Sequence, residues 1–343
     1  MTRKNIATYL LPVAVTIAVA MMMLGKCRAT PSMPYQKSSG FIFGTSYNVT
    51  YESEKDYSED ILNVLNKIDS SLSPFNEKST ITAVNNSDGT PVKVDEMFAE
   101  VFNTAKDVNT DTQGAFDITV APLVNAWGFG FKNGIMPTAA QVDSIKTFIG
   151  FSKVSMKDNA ITKQDRRIML DCGAIAKGFA VDKVAEMLTE KGVTNFMVEI
   201  GGEIVVKGNN PEGKPWHIGV IKPADDSLSV SNEMQARLIL SDKAMATSGN
   251  YRNFYYKDGK KYAHPIDPKT GYPVQHNILS ATVLAPTCMQ ADAYATSFMV
   301  MGLDKARQIL DRHKEMAAYI IYNDNKGNYA TCHSPELDKY IDE

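Results

Sequence analysis

The stretch Asp171–Glu203, DCGAIAKGFAVDKVAEMLTEKGVTNFMVEIGGE, reads as a turn, a helix, a strand and a second turn. A strand ends at Asp171-Cys172, and Gly173 permits a sharp change of direction. Ala174 to Glu190 carries helical spacing, Asn195 to Ile200 reads as a strand, and Gly201-Gly202 breaks it. The start of a helix offers backbone N–H groups with no intrahelical partner, which makes a seat for phosphate. Lys177 adds a positive charge there, and Asp171 is placed to hold a hydroxyl or a ring nitrogen. The competing reading is a plain turn with a capping aspartate.

Toward the N-terminus, Phe41 to Tyr51 alternates like one strand, and Ile61, Leu62, Leu65, Ile68 and Leu72 share a helical face. A polar loop follows. Helical spacing returns over Asp95 to Thr112 and Thr138 to Phe148, and short strands joined by turns fill Lys153 to Leu170. Toward the C-terminus the pattern predicts three or four strands over Glu203 to Ala263 and a strand over Leu279 to Ala285. Helices over Met289 to Met301 and Asp304 to His313 come next, and a strand over Ala317 to Tyr322 closes the fold. No repeat or interdomain linker interrupts this order. The class is α+β, with mixed, largely antiparallel sheets and flanking helices over residues 38–343, as one domain or two subdomains.

Composition excludes some partners and leaves others open. The 343 residues are 44% hydrophobic and 22% charged, with a formal net charge of -3. There is no global field and no Lys/Arg stripe for nucleic acid. The four cysteines form no CxxC pair and the five histidines no HxxxH pair, so a zinc site is not expected. Cys172, Cys288 and Cys332 could pair in an exported chain or stay as buried thiols.

The N-terminus carries an address. Arg3 and Lys4 precede an apolar run from Tyr9 to Leu24, and Cys27 follows. Leu24-Gly25-Lys26-Cys27 resembles a bacterial lipoprotein cleavage site, with Lys26 where a small residue is expected. The alternative is an uncleaved anchor, since Ile6 to Leu24 is close to the ~20 residues that span a bilayer. Residues 1–37 are then signal, tether and linker. The expected location is the cell envelope, on the inner membrane and facing the periplasm.

Three further segments carry candidate chemistry. Asp292 and Thr296 stand four apart on a helix, so a carboxylate and a hydroxyl share one face. That pair suits a hard cation such as Mg²⁺, which takes few protein oxygens and completes its shell with water and phosphate. An exposed polar helix face is the alternative. Thr247-Ser248-Gly249 reads as a tight turn lined with hydroxyls. His264, before Pro265 and the turn Asp267 to Gly271, sits at a strand end where it can act as a general base or simply be structural. Ala115-Phe116-Asp117 can place an aromatic ring and a carboxylate on a ligand, while Trp127 and Phe129 fit a core equally well.

Taken in order, GTSYNV (Gly44), SPFNEKSTITAVN (Ser73, with Ser79 and Asn85), GAFDITVAPLVNAWGFG (Gly114), DCGAIAKGFAVD, VEIGGE, TSGNYRN, HPIDPKTGYPV and PTCMQADAYAT closely resemble the ApbE family. The resemblance covers Gly44 to about Pro335. It implies an FAD:protein FMN transferase, with FAD as substrate and Mg²⁺ as cofactor. FMN passes to a Thr or Ser hydroxyl of a partner protein through a phosphoester, and AMP leaves. The metal ligands implied are the Ala174 carbonyl, Asp292 and Thr296. The flavin contacts implied are Phe43, Phe75, Ala115, Phe116, Asp117, Asp171, Lys177 and Ile266, and the catalytic residue is His264. Acceptors of the family carry a motif like Asp-x-x-Thr/Ser-Gly-Ala-Thr/Ser. Asp111 to Phe116 comes near it but puts Phe116 in place of the hydroxyl, which argues against self-modification. The partners implied are subunits of sodium-pumping NADH:quinone reductase or Rnf-type complexes. An Mg²⁺-dependent FAD pyrophosphatase and a non-catalytic flavin-binding lipoprotein are the alternatives.

Overall fold

Residues Phe41 to Tyr51, expected as one strand, fold as the end of a hairpin. Strand β1 (Tyr35–Ile42) pairs antiparallel with β2 (Thr45–Glu52), Ile42 opposite Thr45. Phe43 (φ 52) and Gly44 (φ 75) make the turn, and two successive positive φ values match the right-handed twist of the paired strands. The alternation is real, but it runs through a turn that a Phe at the first central position hides. The first strand among the described residues starts at Tyr35, inside the segment expected as linker. The computed structural model describes residues 33–130, 136–223, 233–250, 254–257, 260–275, 277–324 and 326–342. The expected signal and apolar run lie outside them. Among the described residues no helix is long and apolar enough to cross a membrane.

The hairpin leads into α1 (Ser58–Leu72), which buries Ile61, Leu65, Ile68 and Leu72. Leu62, expected on that face, is 43% exposed. The polar loop then contains an unexpected short helix, α2 (Thr80–Asn86), capped by the Ser79 hydroxyl, which accepts from Thr82 N at 3.2 Å. After β3 (Val92–Lys93), helix α3 (Glu96–Asp111) is capped by Asp95 and buries Phe98, Val101, Phe102, Ala105 and Val108. Helix α4 (Ala121–Ala126) and the capping-box helix α5 (Ala139–Lys146) follow. Then come β4 (Val154–Lys157) and β5 (Ala160–Lys163), joined at Asp158-Asn159.

No strand precedes α6 (Ala176–Glu190). Residues 168–172 belong to no strand, Asp171 N donating instead to the Ile118 carbonyl, and Gly173 does not adopt a positive φ. Among its described residues the region from Glu203 to Ala263 holds six strands rather than three or four. They are β7 (Glu203–Lys207), after β6 (Phe196–Ile200), then β8 (Trp216–Ile221), β9 (Met234–Leu240), β10 (Lys243–Gly249), β11 (Phe254–Lys257) and β12 (Lys260–Ala263). Strand β13 (Ile278–Ala285), helices α7 (Cys288–Met301) and α8 (Leu303–Arg312), and strand β14 (Ala317–Asn323) follow their expected spans. A further strand, β15 (Tyr329–His333), closes the sheet.

The large sheet has the order β1-β2-β6-β7-β10-β13-β14-β15, and every neighbouring pair is antiparallel. Helices α6 and α7 cover one face. On the other, the hairpin β8–β9 packs Trp216, Ile218 and Leu240 over Val206, Met245 and Ile321. Strand β13 is consequently buried along its whole length, and a strand covered on both faces loses its alternation. Cys172 and Cys288 are buried free thiols and Cys332 a half-buried one.

Candidate active site

Helix α7 enters the core through Thr287, whose side chain accepts from Gln290 N, and through Asp182 of α6. The Asp182 carboxylate accepts the Cys288 and Met289 N–H groups, each at 2.8 Å. Helix α7 is buried nearly all round, so Asp292 is only 4% exposed rather than on an open polar face. One of its oxygens, Oδ2, accepts the Gly178 N–H at 3.0 Å, which ties α7 to the first turn of α6.

A cleft of about 400 Å³ opens above this junction, within the usual range for a small-molecule site. Ala174, Lys177, Asp292 and Thr296 line its floor. The segment Ala115-Phe116-Asp117 with Val124 and Phe129 forms one wall, and His264, Pro265 and Ile266 form the facing one. Asp171 lines it as well. Ten of the twelve site residues that the resemblance implies thus line one cleft. Phe43 packs against the main core from the β1–β2 turn, and Phe75 is 77% exposed; neither lines the cleft.

Several expected details change. Thr247-Ser248-Gly249 is not a turn but the end of β10, paired with Thr282, Ala281 and Ser280 of β13, and Thr247 and Thr282 share a hydroxyl contact at 2.9 Å. The start of α6 is a poor phosphate seat. Ile175 and Ala176 donate to the Cys172 carbonyl and Gly178 to Asp292, so three of its N–H groups are taken. Asp117 lines the cleft, but its carboxylate serves the wall. Its Oδ1 accepts from Thr119 N and Oγ1, and its Oδ2 from Phe151 N. Asp171 Oδ1 accepts Gly173 N–H at 2.7 Å in the turn before α6 rather than capping the helix, whose cap residue is Ile175, and burial raises its pKa.

The floor also holds a residue the sequence reading quoted but did not assign. Glu203, 2% exposed, pairs its Oε1 with Lys177 Nζ at 2.7 Å. Lys177 Nζ is 3.9 Å from Asp292 Oδ1. Burial raises the Asp292 pKa, and raises Glu203 to about 7. Burial alone would lower Lys177, but Asp292 and Glu203 together outweigh it and raise it. Its position directly after Gly201-Gly202, at the mouth of a strand break, is the one sequence signal that could have found Glu203.

Two carboxylates against one ammonium leave an excess of negative charge on a buried floor. Asp292 Oδ1 lies beyond hydrogen-bond reach of Lys177, with the Thr296 hydroxyl and the Ala174 carbonyl in the same cleft. All are hard oxygen donors that suit Mg²⁺. Among the described residues no group of three or more His, Cys, Asp or Glu could hold a metal. A cation here would depend on one carboxylate, neutral oxygens and a ligand's phosphate.

The family model described as "ApbE family" matches residues 43–320. This chain belongs to the ApbE family. It is 38% identical over 328 residues to an FAD:protein FMN transferase of Haemophilus influenzae, covering 91% of this chain and 93% of the relative. It is 35% identical over 296 residues to the protein of the same name from Vibrio cholerae, covering 84% and 87%. Among solved structures, the flavin transferase ApbE from Vibrio cholerae superimposes with a TM-score of 0.82 at 32% identity, over 90% of this chain and 100% of that one.

Proposed function

We propose that this ApbE-family chain transfers the FMN half of FAD to a Thr or Ser hydroxyl of a partner protein, forming a phosphoester and releasing AMP. One observation carries the reading: a single cleft is lined both by His264 and by Lys177, Asp292, Thr296 and Ala174. The donor's diphosphate is the bond to be broken. Lys177 binds and orients it by charge. The apolar wall of Ile118, Val124 and Phe129 excludes water from the reacting phosphate, favouring a protein hydroxyl as acceptor. His264 takes the proton from that incoming hydroxyl. Asp292, Thr296 and the Ala174 carbonyl would hold Mg²⁺, which supplies charge neutralisation as the AMP phosphate departs.

The acceptor class we favour is a membrane electron-transport subunit of the quinone-reductase or Rnf type. The N-terminal basic-apolar-cysteine pattern supports a tether, by lipid or anchor, on the periplasmic side of the inner membrane.

The test is incubation with FAD, Mg²⁺ and a protein bearing the acceptor motif, read by intact mass. An FMN-sized gain on the acceptor is expected. Free FMN and AMP without that gain would identify a pyrophosphatase, and unchanged FAD a binding protein. His264→Ala should keep FAD binding and lose transfer; full turnover in that variant removes His264 from the chemistry.

A further inference from the structure

Glu203 is buried, and its carboxyl group meets the Lys177 ammonium through one oxygen. Its Oε1 meets Lys177 Nζ at 2.7 Å, while its Oε2 has no hydrogen-bond partner among the described residues. A buried carboxylate is costly unless it is paired, and a well-packed apolar side chain of similar volume often serves stability as well or better. Its one ion pair is with the Lys177 ammonium, at 2.7 Å, so its role should be sought in what it does to Lys177.

Lys177 has two carboxylates to choose from. They are Glu203 at 2.7 Å and Asp292 Oδ1 at 3.9 Å, a hydrogen-bonded contact against a loose one. The other Asp292 oxygen is already fixed by Gly178 N–H at 3.0 Å, so Oδ1 is the oxygen left to face the cleft. An ammonium that closed on Oδ1 would occupy the position a cation needs, with the same charge sign. We propose that Glu203 keeps Asp292 available to a divalent cation by holding the Lys177 ammonium away from it. Glu203 is then a positioning residue, acting through Lys177 rather than on the substrate. The inference rests on the cation reading of the preceding subsection.

The test is a double-mutant cycle read by binding of Mn²⁺ alone to the full-length protein, followed by electron paramagnetic resonance, with thermal unfolding checked for each variant. Glu203→Gln frees Lys177 to close on Asp292 and should weaken Mn²⁺ binding about tenfold, a typical coupling between neighbouring charges. Lys177→Met alone should change it little, because in the parent protein that ammonium is already held off. Lys177→Met in the Glu203→Gln background should return affinity to within about threefold of the parent. Simple through-space charge predicts instead that the two effects add, and additivity overturns the proposal. Glu203→Asp supplies a second arm. It keeps the charge but shortens the reach, so binding should weaken with net charge unchanged, and unaltered affinity again overturns it. A parent protein that binds no Mn²⁺, with or without FAD, defeats the cation reading itself. Binding with an additive cycle defeats only the role given to Glu203.

Discussion

Gly178 and Cys288 are in backbone contact: a Cβ built on Gly178 would lie 2.3 Å from the Cys288 carbonyl oxygen and 2.9 Å from Asp292 Cβ. Helices α6 and α7 approach closely here because Gly178 has no side chain, and the crossing sets Asp292 beside Lys177. An alanine at an unobstructed helical site stabilises by about 0.5–1 kcal/mol relative to glycine. Gly178→Ala should do the reverse. Overpacking against backbone costs about 1–3 kcal/mol, and spreading the helices withdraws Asp292 from the cleft floor. Thermal unfolding and FAD binding should both suffer, and a stabilised variant would show that the crossing tolerates a methyl.

Asp182 should make stability depend on pH. Burial raises its pKa to about 6 from the ordinary 3.8, even though it accepts two N–H groups of α7. A carboxyl whose folded pKa lies above its unfolded one contributes stability fully below the unfolded value, and that contribution is lost as pH rises through the folded value. Asp182→Asn cannot ionise. Relative to the parent, the variant should therefore gain as pH is raised from about 4 to 7, by up to roughly 3 kcal/mol for about two pKa units. Paired denaturant titrations across that range measure it; a constant difference would mean that Asp182 does not titrate there.

Trp127 should govern the wall that carries His264. Its Nε1 donates to the Gly271 carbonyl at 2.8 Å, and its ring stacks on Tyr262 at 5.9 Å and meets Tyr272 at 5.5 Å. The loop it holds is tight: Gly271 N donates to Asp267 O, and Val274 N to Pro265 O. Trp127→Phe keeps a ring but leaves a buried carbonyl without its donor, a loss of about 1–3 kcal/mol. With His264 and Ile266 less firmly placed, KM for FAD should rise several-fold. Steady-state kinetics beside a melting curve separate this from plain destabilisation, and an unchanged KM would argue against it.

The sequence pattern made α7 legible because Asp292 and Thr296 stand one turn apart, and it made the 264–271 turn legible through Pro265, Asp267 and Gly271. It missed what depends on distant partners. Thr247-Ser248-Gly249 has turn composition, yet β13 supplies a strand for it to pair with. Phe43 adopts a positive φ that its residue type disfavours, so the β1–β2 turn was invisible. Helix α2 is too short to show a period, and only its Ser79 cap announces it. The Lys177–Glu203 pair joins positions on a helix and a strand that no local spacing relates.

Asn85 belongs to the same class of long-range effect. Its side chain pairs reciprocally with the backbone of Leu170, Oδ1 accepting Leu170 N–H at 2.7 Å and Nδ2 donating to Leu170 O at 3.0 Å. Lys163 Nζ closes the arrangement by donating to the Asn85 carbonyl at 2.9 Å. This segment belongs to no strand, so the Asn85 amide satisfies the backbone of Leu170, one residue before Asp171. Asn85→Ala should leave both Leu170 groups unsatisfied, at about 1–3 kcal/mol, and loosen Asp171 at the cleft. Asn85→Asp is the sharper probe. It retains the acceptor for Leu170 N–H but turns the donor facing Leu170 O into a second acceptor, so oxygen meets oxygen. Its FAD affinity should fall at least as far as that of the alanine variant. Equal affinity in the parent and both variants would show that the cleft does not depend on how Leu170 is held.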